Sequence, residues 1–255
     1  MSLTDDHGAD RARRTGPRDL SVDVTPRYRI LWGLNWHLIR LLFDLRVEGL
    51  ARMPTPPFQL VVNHHNGFDP MLVMAATPLE PRITWFGPRE TDFSRGFRNR
   101  LMTYLGGVIP YNPEKTTLTS AVRAVRRVLS VGGVLGIFAE GRIGFRESGL
   151  LPLEEGAAAF ALASRVPIVP CAVVGSTTLW FRKRLVVRFG EPLSTAGLRG
   201  RQARETLDAQ MRAALLALLP ESEPRLPRHR PLAFLTDLLN GADDIARRAS
   251  SDEPR

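Results

Sequence analysis

The chain has 255 residues, 44% of them hydrophobic, a formal net charge of +9 and a single cysteine, Cys171. This length and apolar content suffice for one sizeable core, and a single α/β domain reaches this size. One cysteine excludes an intrachain disulfide framework and a multi-cysteine metal site, while an arginine-dominated positive balance suits phosphates, an anionic membrane or nucleic acid.

Residues 1–26 are polar and charged and read as a disordered tail. The first apolar run starts only near Ile30, so no secretory leader is expected. Tyr28–Leu45 is rich in Leu, Ile and Trp but is interrupted by Arg40 and Asp44. Its uninterrupted part falls short of the roughly 20 residues that span a bilayer. Trp32 and Trp36, one helical turn apart, suit a membrane interface. Residues 27–45 are therefore read as an interfacial helix, and a helix covering the core is the other reading.

Residues 46–220 follow as one domain. Leu45–Gly49 alternates like a strand at the surface of a sheet. Leu60–Val62 is a short buried strand that runs into Asn63-His64-His65-Asn66-Gly67-Phe68-Asp69-Pro70. Asp69 and Pro70 read as N-cap and first residue of a helix through Ala76. Arg82–Phe86 is a further strand, Arg95–Leu105 a helix, and Val108–Tyr111 a brief strand before an Asn112-Pro113 turn. Thr117–Ser130 is amphipathic, with Leu118, Ala121, Val122, Val125 and Leu129 on one face and a solvated set of arginines elsewhere. Val134–Phe138, Val166–Val174 and Leu185–Phe189 are strands, Gly156–Ser164 is a small-residue helix, and a helical stripe runs from Leu207 to Leu218. Residues 221–255 form a proline-rich extension with one amphipathic piece, Leu232–Ile245. Strands alternating with helices give the fold class: α/β, a single domain with a mixed, mostly parallel central sheet flanked by helices.

Two places carry chemistry. His64 stands where a strand gives way to a helix, and Asp69 lies within reach to hold one imidazole nitrogen and free the other as a base. A cap and a polar loop residue explain the same two side chains equally well. Ala139-Glu140-Gly141-Arg142 sits at the end of another strand, where ligands bind in open α/β sheets. Cys171 reads as a buried small hydrophobe.

Four blocks in this order resemble the glycerolipid, or lysophospholipid, acyltransferase family. Asn63-His64-x4-Asp69-Pro70 resembles its first block, Gly106–Asn112 its second, Phe138-Ala139-Glu140-Gly141-Arg142 its third and Val166–Pro170 its fourth. The resemblance covers about residues 30–219. It implies transfer of an acyl group from acyl-CoA or acyl-carrier protein to a lysolipid hydroxyl. In that scheme His64 is the general base and Asp69 orients it. Glu140, Gly141 and Arg142 bind the acceptor, and Pro170 shapes the acyl side. His65 falls on a variable position and is structural. Three positions depart from the pattern: Asn112 stands where an arginine usually contacts acceptor phosphate, with Lys115 as a substitute; Ala139 replaces a proline; and Asn66 replaces a serine. These leave the acceptor open between a lysophosphatidic acid and a lipid without phosphate, and Asn112 and Ala139 also admit a non-catalytic lipid-binding protein. No cofactor, metal or nucleic acid is expected. The expected partner surface is an anionic membrane on its cytoplasmic face.

Overall fold

The computed structural model describes residues 22–88, 107–111 and 118–240. The expected helix over 95–105, the positions Asn112 and Lys115, and most of the expected N-terminal tail lie outside them.

Seven strands form one sheet. In chain order they are β1 (Asp44–Glu48), β2 (Phe58–Val62), β3 (Ile83–Pro88), β4 (Val108–Tyr111), β5 (Val134–Phe138), β6 (Ile168–Val174) and β7 (Arg184–Phe189). The spatial order is β1-β7-β6-β2-β5-β3-β4. Every pairing is parallel except β6 with β7. β1 is at an edge, as its alternating pattern predicts, and β2 is central, with all five residues buried. A central parallel strand is covered on both faces, which is why it reads as a continuous apolar run.

Helices α1 (Pro26–Leu42), α2 (Asp69–Ala76) and the short α6 (Leu235–Leu239) lie with one core, around Leu60, Val62, Phe68, Leu72 and Trp85. Helices α3 (Leu118–Ser130), α4 (Gly156–Ser164) and α5 (Gly200–Leu218) cover the other face, with Val125, Leu135, Ile168, Leu207 and Met211 between them. The small side chains of α4, Ala157, Ala158 and Ala161, are buried and allow the close approach.

Three sequence expectations shift. α1 ends at Leu42, three residues earlier than expected, because Leu45 belongs to β1. Thr25 caps α1 through its side chain, and Val22 and Val24 pack on the cores, so the last residues of the expected tail are ordered. Trp32 faces inward. Its Nε1 donates to Met74 O at 3.0 Å, Asn35 donates to Met71 O at 2.9 Å and Arg40 to Ala75 O at 3.1 Å. Two of these bonds satisfy carbonyls in the last turn of α2, Met74 and Ala75, which the helix itself leaves unpaired. α1 thus covers the core with one side. Its other side exposes Ile30, Leu34, Leu38 and Leu41.

Candidate active site

The site grows from the carboxyl ends of β2 and β5. Val62 and Phe138, their last residues, are register partners. The next residues, Asn63-His64 and Ala139-Glu140, leave the sheet side by side. Asn63 fastens the loop to β6: its amide nitrogen donates to Val173 O at 3.0 Å, and Val173 N donates to its oxygen at 2.7 Å. Asn66 closes the turn. Its oxygen accepts from Phe68 N at 2.9 Å and its amide donates to Ser176 O at 3.0 Å. An Asn accepting from a residue two positions on is an Asx turn, and the amide N–H of the same side chain makes the second bond.

Asp69 is buried and receives three donors on one oxygen: His65 N at 2.7 Å, Asn66 N at 2.8 Å and His64 Nδ1 at 3.1 Å. Asp69 is not the N-cap that the sequence suggested; it is the first residue of α2, with Phe68 at the cap. Its carboxylate turns back to hold the loop instead of its own helix. The bond fixes the Nδ1–H tautomer of a neutral His64 and turns Nε2 outward. The His64 side chain is 17% exposed, and among the described residues Nε2 has no partner.

An aromatic stack sets the ring plane. The His64 and Phe138 rings are 4.1 Å apart at 25°, and Phe138 and Trp85 are 4.9 Å apart at 8°. β5 makes this possible by placing Gly136 two residues before Phe138, on the same face. A Cβ at Gly136 would lie 2.6 Å from the Trp85 ring, so only glycine lets the indole lie flat on the sheet.

Glu140 is engaged within the protein. It is buried, and its carboxylate accepts from His64 N at 2.7 Å and Leu151 N at 2.8 Å. Burial pushes its pKa up, against those two N–H groups. The side chain is a strut beneath His64, with both oxygens occupied. The Gly141 N–H donates to Phe138 O at 3.1 Å. Its φ of 65° and a Cβ position 2.9 Å from Glu154 call for glycine at this turn. Arg142 is exposed, and among the described residues it has no hydrogen-bond or ion-pair partner. Ala139 N donates to Val62 O at 3.2 Å, a bond that a proline cannot make. Pro170 lies inside β6 in register with Val61, its ring against Gly190 and near Leu218. It packs the sheet against α5 and does not line the His64 loop.

Sequence reasoning missed further residues of the site. Phe138 and Trp85 were read as core, although the block phenylalanine after a strand glycine was a usable signal. Glu147 lies under the loop beside His65, and Asn240 accepts from Gly67 N at 3.1 Å, tying the C-terminal segment to the loop. Glu223 accepts from Glu147 N, Ser148 N and Ser148 Oγ at the same rim. Cys171 is fully buried, and burial raises its pKa, so it is an inert core thiol. Among the described residues no cluster of His, Cys, Asp and Glu has the makings of a metal site. A groove of about 990 Å³ lined by Arg165, Pro167, Arg199 and Arg204 lies at the opposite, amino-terminal end of β6; size alone does not mark the chemistry.

An acyltransferase family profile matches residues 44–174, from β1 through β6. The chain is 31% identical over 194 residues to the 1-acyl-sn-glycerol-3-phosphate acyltransferase of Bacillus subtilis (strain 168), covering 74% of this chain and 93% of that protein. This chain belongs to the acyltransferase family. It is accordingly an acyltransferase enzyme, and the matched span contains the His64–Asp69 pair, the aromatic stack and the Glu140 strut. The crystal structure of the 1-acyl-sn-glycerophosphate (LPA) acyltransferase PlsC from Thermotoga maritima resembles this fold with a TM-score of 0.59 at 17% identity, over 75% of this chain and 79% of that one. At that identity the likeness speaks to the fold.

Proposed function

We propose that the enzyme transfers a fatty acyl group from acyl-CoA or acyl-carrier protein to the hydroxyl of a lysophosphatidic-acid-type acceptor, as a step of phospholipid synthesis. The observation that carries this reading is the His64 imidazole, held through Nδ1 by Asp69 with Nε2 free at the rim. His64 Nε2 takes the acceptor hydroxyl proton as the oxygen attacks the thioester carbonyl. The C–S bond then breaks, and the imidazolium returns the proton to the departing thiolate. The products are an acyl ester and a free thiol on the carrier. Asp69 stabilises the imidazolium while it exists. Arg142, exposed and uncommitted, is the group for the acceptor phosphate, since a guanidinium matches two phosphate oxygens. The name of the Bacillus relative supports the same acceptor class. Asn112, in the place of the usual phosphate-contacting arginine, favours a second reading in which the acceptor lacks phosphate.

The enzyme works on an anionic membrane surface, at the cytoplasmic leaflet where both thioester carriers are found. The apolar stripe of Ile30, Leu34, Leu38 and Leu41 on α1 supports this, together with the net charge of +9. Among the described residues no helix is long and apolar enough to cross a membrane, so contact with one leaflet suits the stripe.

The test is acyl transfer by the purified protein in lipid, offering acyl-CoA and acyl-carrier protein against lysophosphatidic acid and a phosphate-free monoacyl acceptor. His64→Ala should lower turnover by about 10²–10⁴-fold, the worth of a positioned general base. Full turnover in that variant would remove the mechanism, and turnover with the phosphate-free acceptor alone would establish the second reading.

A further inference from the structure

Beside His64 lies a second histidine that the mechanism leaves unused. His65 is 2% exposed and Glu147 is 1% exposed. His65 Nδ1 is 3.6 Å from Glu147 Oε2, and its Nε2 is 3.4 Å from Gly149 O. Both ring nitrogens therefore face oxygen acceptors. The remaining polar neighbour is the Asn63 amide nitrogen, 3.2 and 3.4 Å from the two ring nitrogens. A nitrogen nearly equidistant from both stands over the ring face and meets neither lone pair in line. A neutral imidazole has one N–H and one bare lone pair; here that lone pair would point at an oxygen. The doubly protonated ring presents an N–H to each acceptor.

Glu147 is built as the anionic half. Its carboxylate accepts from Gly175 N at 2.7 Å, Thr177 N at 2.9 Å and Thr177 Oγ1 at 2.6 Å. It thereby joins its own loop to the connection that follows β6. The backbone of His65 supplies the closest donor to Asp69, the same oxygen that holds His64. We propose that His65 and Glu147 form a buried imidazolium–carboxylate pair that positions the His64–Asp69 pair and supplies the positive charge beside the Asp69 carboxylate. This rests on the acyl-transfer reading of His64 and Asp69. His65 and Glu147 are positioning residues, since neither faces the rim.

The charge balance agrees. Burial pulls the His65 pKa down, but Glu147 beside it and the charges of Asp69 and Glu140 outweigh burial and raise it to about 8. Burial pushes Glu147 up, and His65, the Thr177 hydroxyl and the Gly175 N–H bring it down to about 2. Once His65 loses its proton, three buried carboxyl groups surround a neutral ring, and the positive charge beside Asp69 is gone. Acyl transfer should therefore fall on the alkaline side with the midpoint of His65.

The experiment has two readouts. In the wild-type enzyme, NMR titration of the histidine rings, assigned by His65→Gln, should show His65 titrating near 8. In the pH profile of kcat/KM, the alkaline limb should share that midpoint. Glu147→Gln keeps the size and an acceptor oxygen for the two Thr177 donors, and removes the charge together with the oxygen that Gly175 N reaches. It should move both midpoints down by about 1–3 pH units, the usual effect of a close opposite charge. His65→Gln should abolish that limb. His65 titrating at or below its ordinary value in the wild type would overturn the proposal, with no variant needed. So would variants that lower the rate uniformly and leave the limb in place, as a merely structural role predicts. A wild-type protein whose His65 titrates near 8 but which transfers no acyl group would support the ion pair and overturn the acyl-transfer reading instead.

Discussion

Asp69→Asn separates the charge of Asp69 from its geometry. All three donors to Asp69 converge on one oxygen, while the other, Oδ1, is buried without a partner. An asparagine can place its carbonyl in the first position and its amide in the second, so the loop keeps its three bonds. The amide is then buried and unpaired, at a cost of about 1–3 kcal/mol in stability. The catalytic effect comes from the lost carboxylate. At 3.1 Å an imidazolium–carboxylate attraction is worth about 5 kcal/mol with an effective dielectric of about 20. With the proton about half transferred in the transition state, roughly half of that is felt, about 2.5 kcal/mol, or nearly 10²-fold in kcat. The assay is kcat at saturating acyl donor, with a urea melt to show that the variant is folded at the assay temperature. Asp69→Ala should lose more, because it also frees the His65 and Asn66 N–H groups. A folded Asp69→Asn enzyme within about threefold of wild type, less than 1 kcal/mol, would refute the idea that Asp69 acts through charge.

Two further outcomes follow from buried and exposed groups. Glu140→Gln retains one acceptor oxygen for two buried N–H groups, His64 and Leu151, so urea denaturation should show a loss of about 1–3 kcal/mol; an unchanged midpoint would mean that Glu140 is not a strut. Leu34→Ser with Leu38→Ser, on the exposed side of α1, should abolish sedimentation with anionic vesicles and change stability by no more than about 0.5 kcal/mol. A large loss of stability with vesicle binding retained would place that stripe inside the protein instead.

The regular elements were legible because their signals are local. β4, β5 and α4 begin and end where the pattern puts them, and β2 is marked by an apolar run flanked by turn residues. His64 and Asp69 were legible for the same reason: four residues of one loop separate them. Glu140 was found, but its partners within the protein were not. A carboxylate at a strand end looks the same in sequence whether its acceptor is a ligand or the N–H of a residue 76 positions away. Glu147 and Asn240 gave no signal, since their partners lie between β6 and β7 or on the His64 loop, far along the chain. Long-range polar pairing has no period to read.

The same distinction explains Asp69. Read locally, Asp-Pro is a helix start, and a carboxylate there is expected to cap the N–H groups that follow it. The structure reverses its direction. Asn63 and Asn66 bond to β6 and the residues after it, and Glu140 lifts the His64 N–H from below. With the loop held at those three points, the N–H groups of His65 and Asn66 point at the start of α2. The Asp69 carboxylate accepts from both, so it turns toward the loop and brings His64 Nδ1 with it. The orientation of the base is therefore a property of the sheet's carboxyl edge, set by strands β2, β5 and β6 together. Two residues spaced five apart make the pair possible; three strands make it point outward.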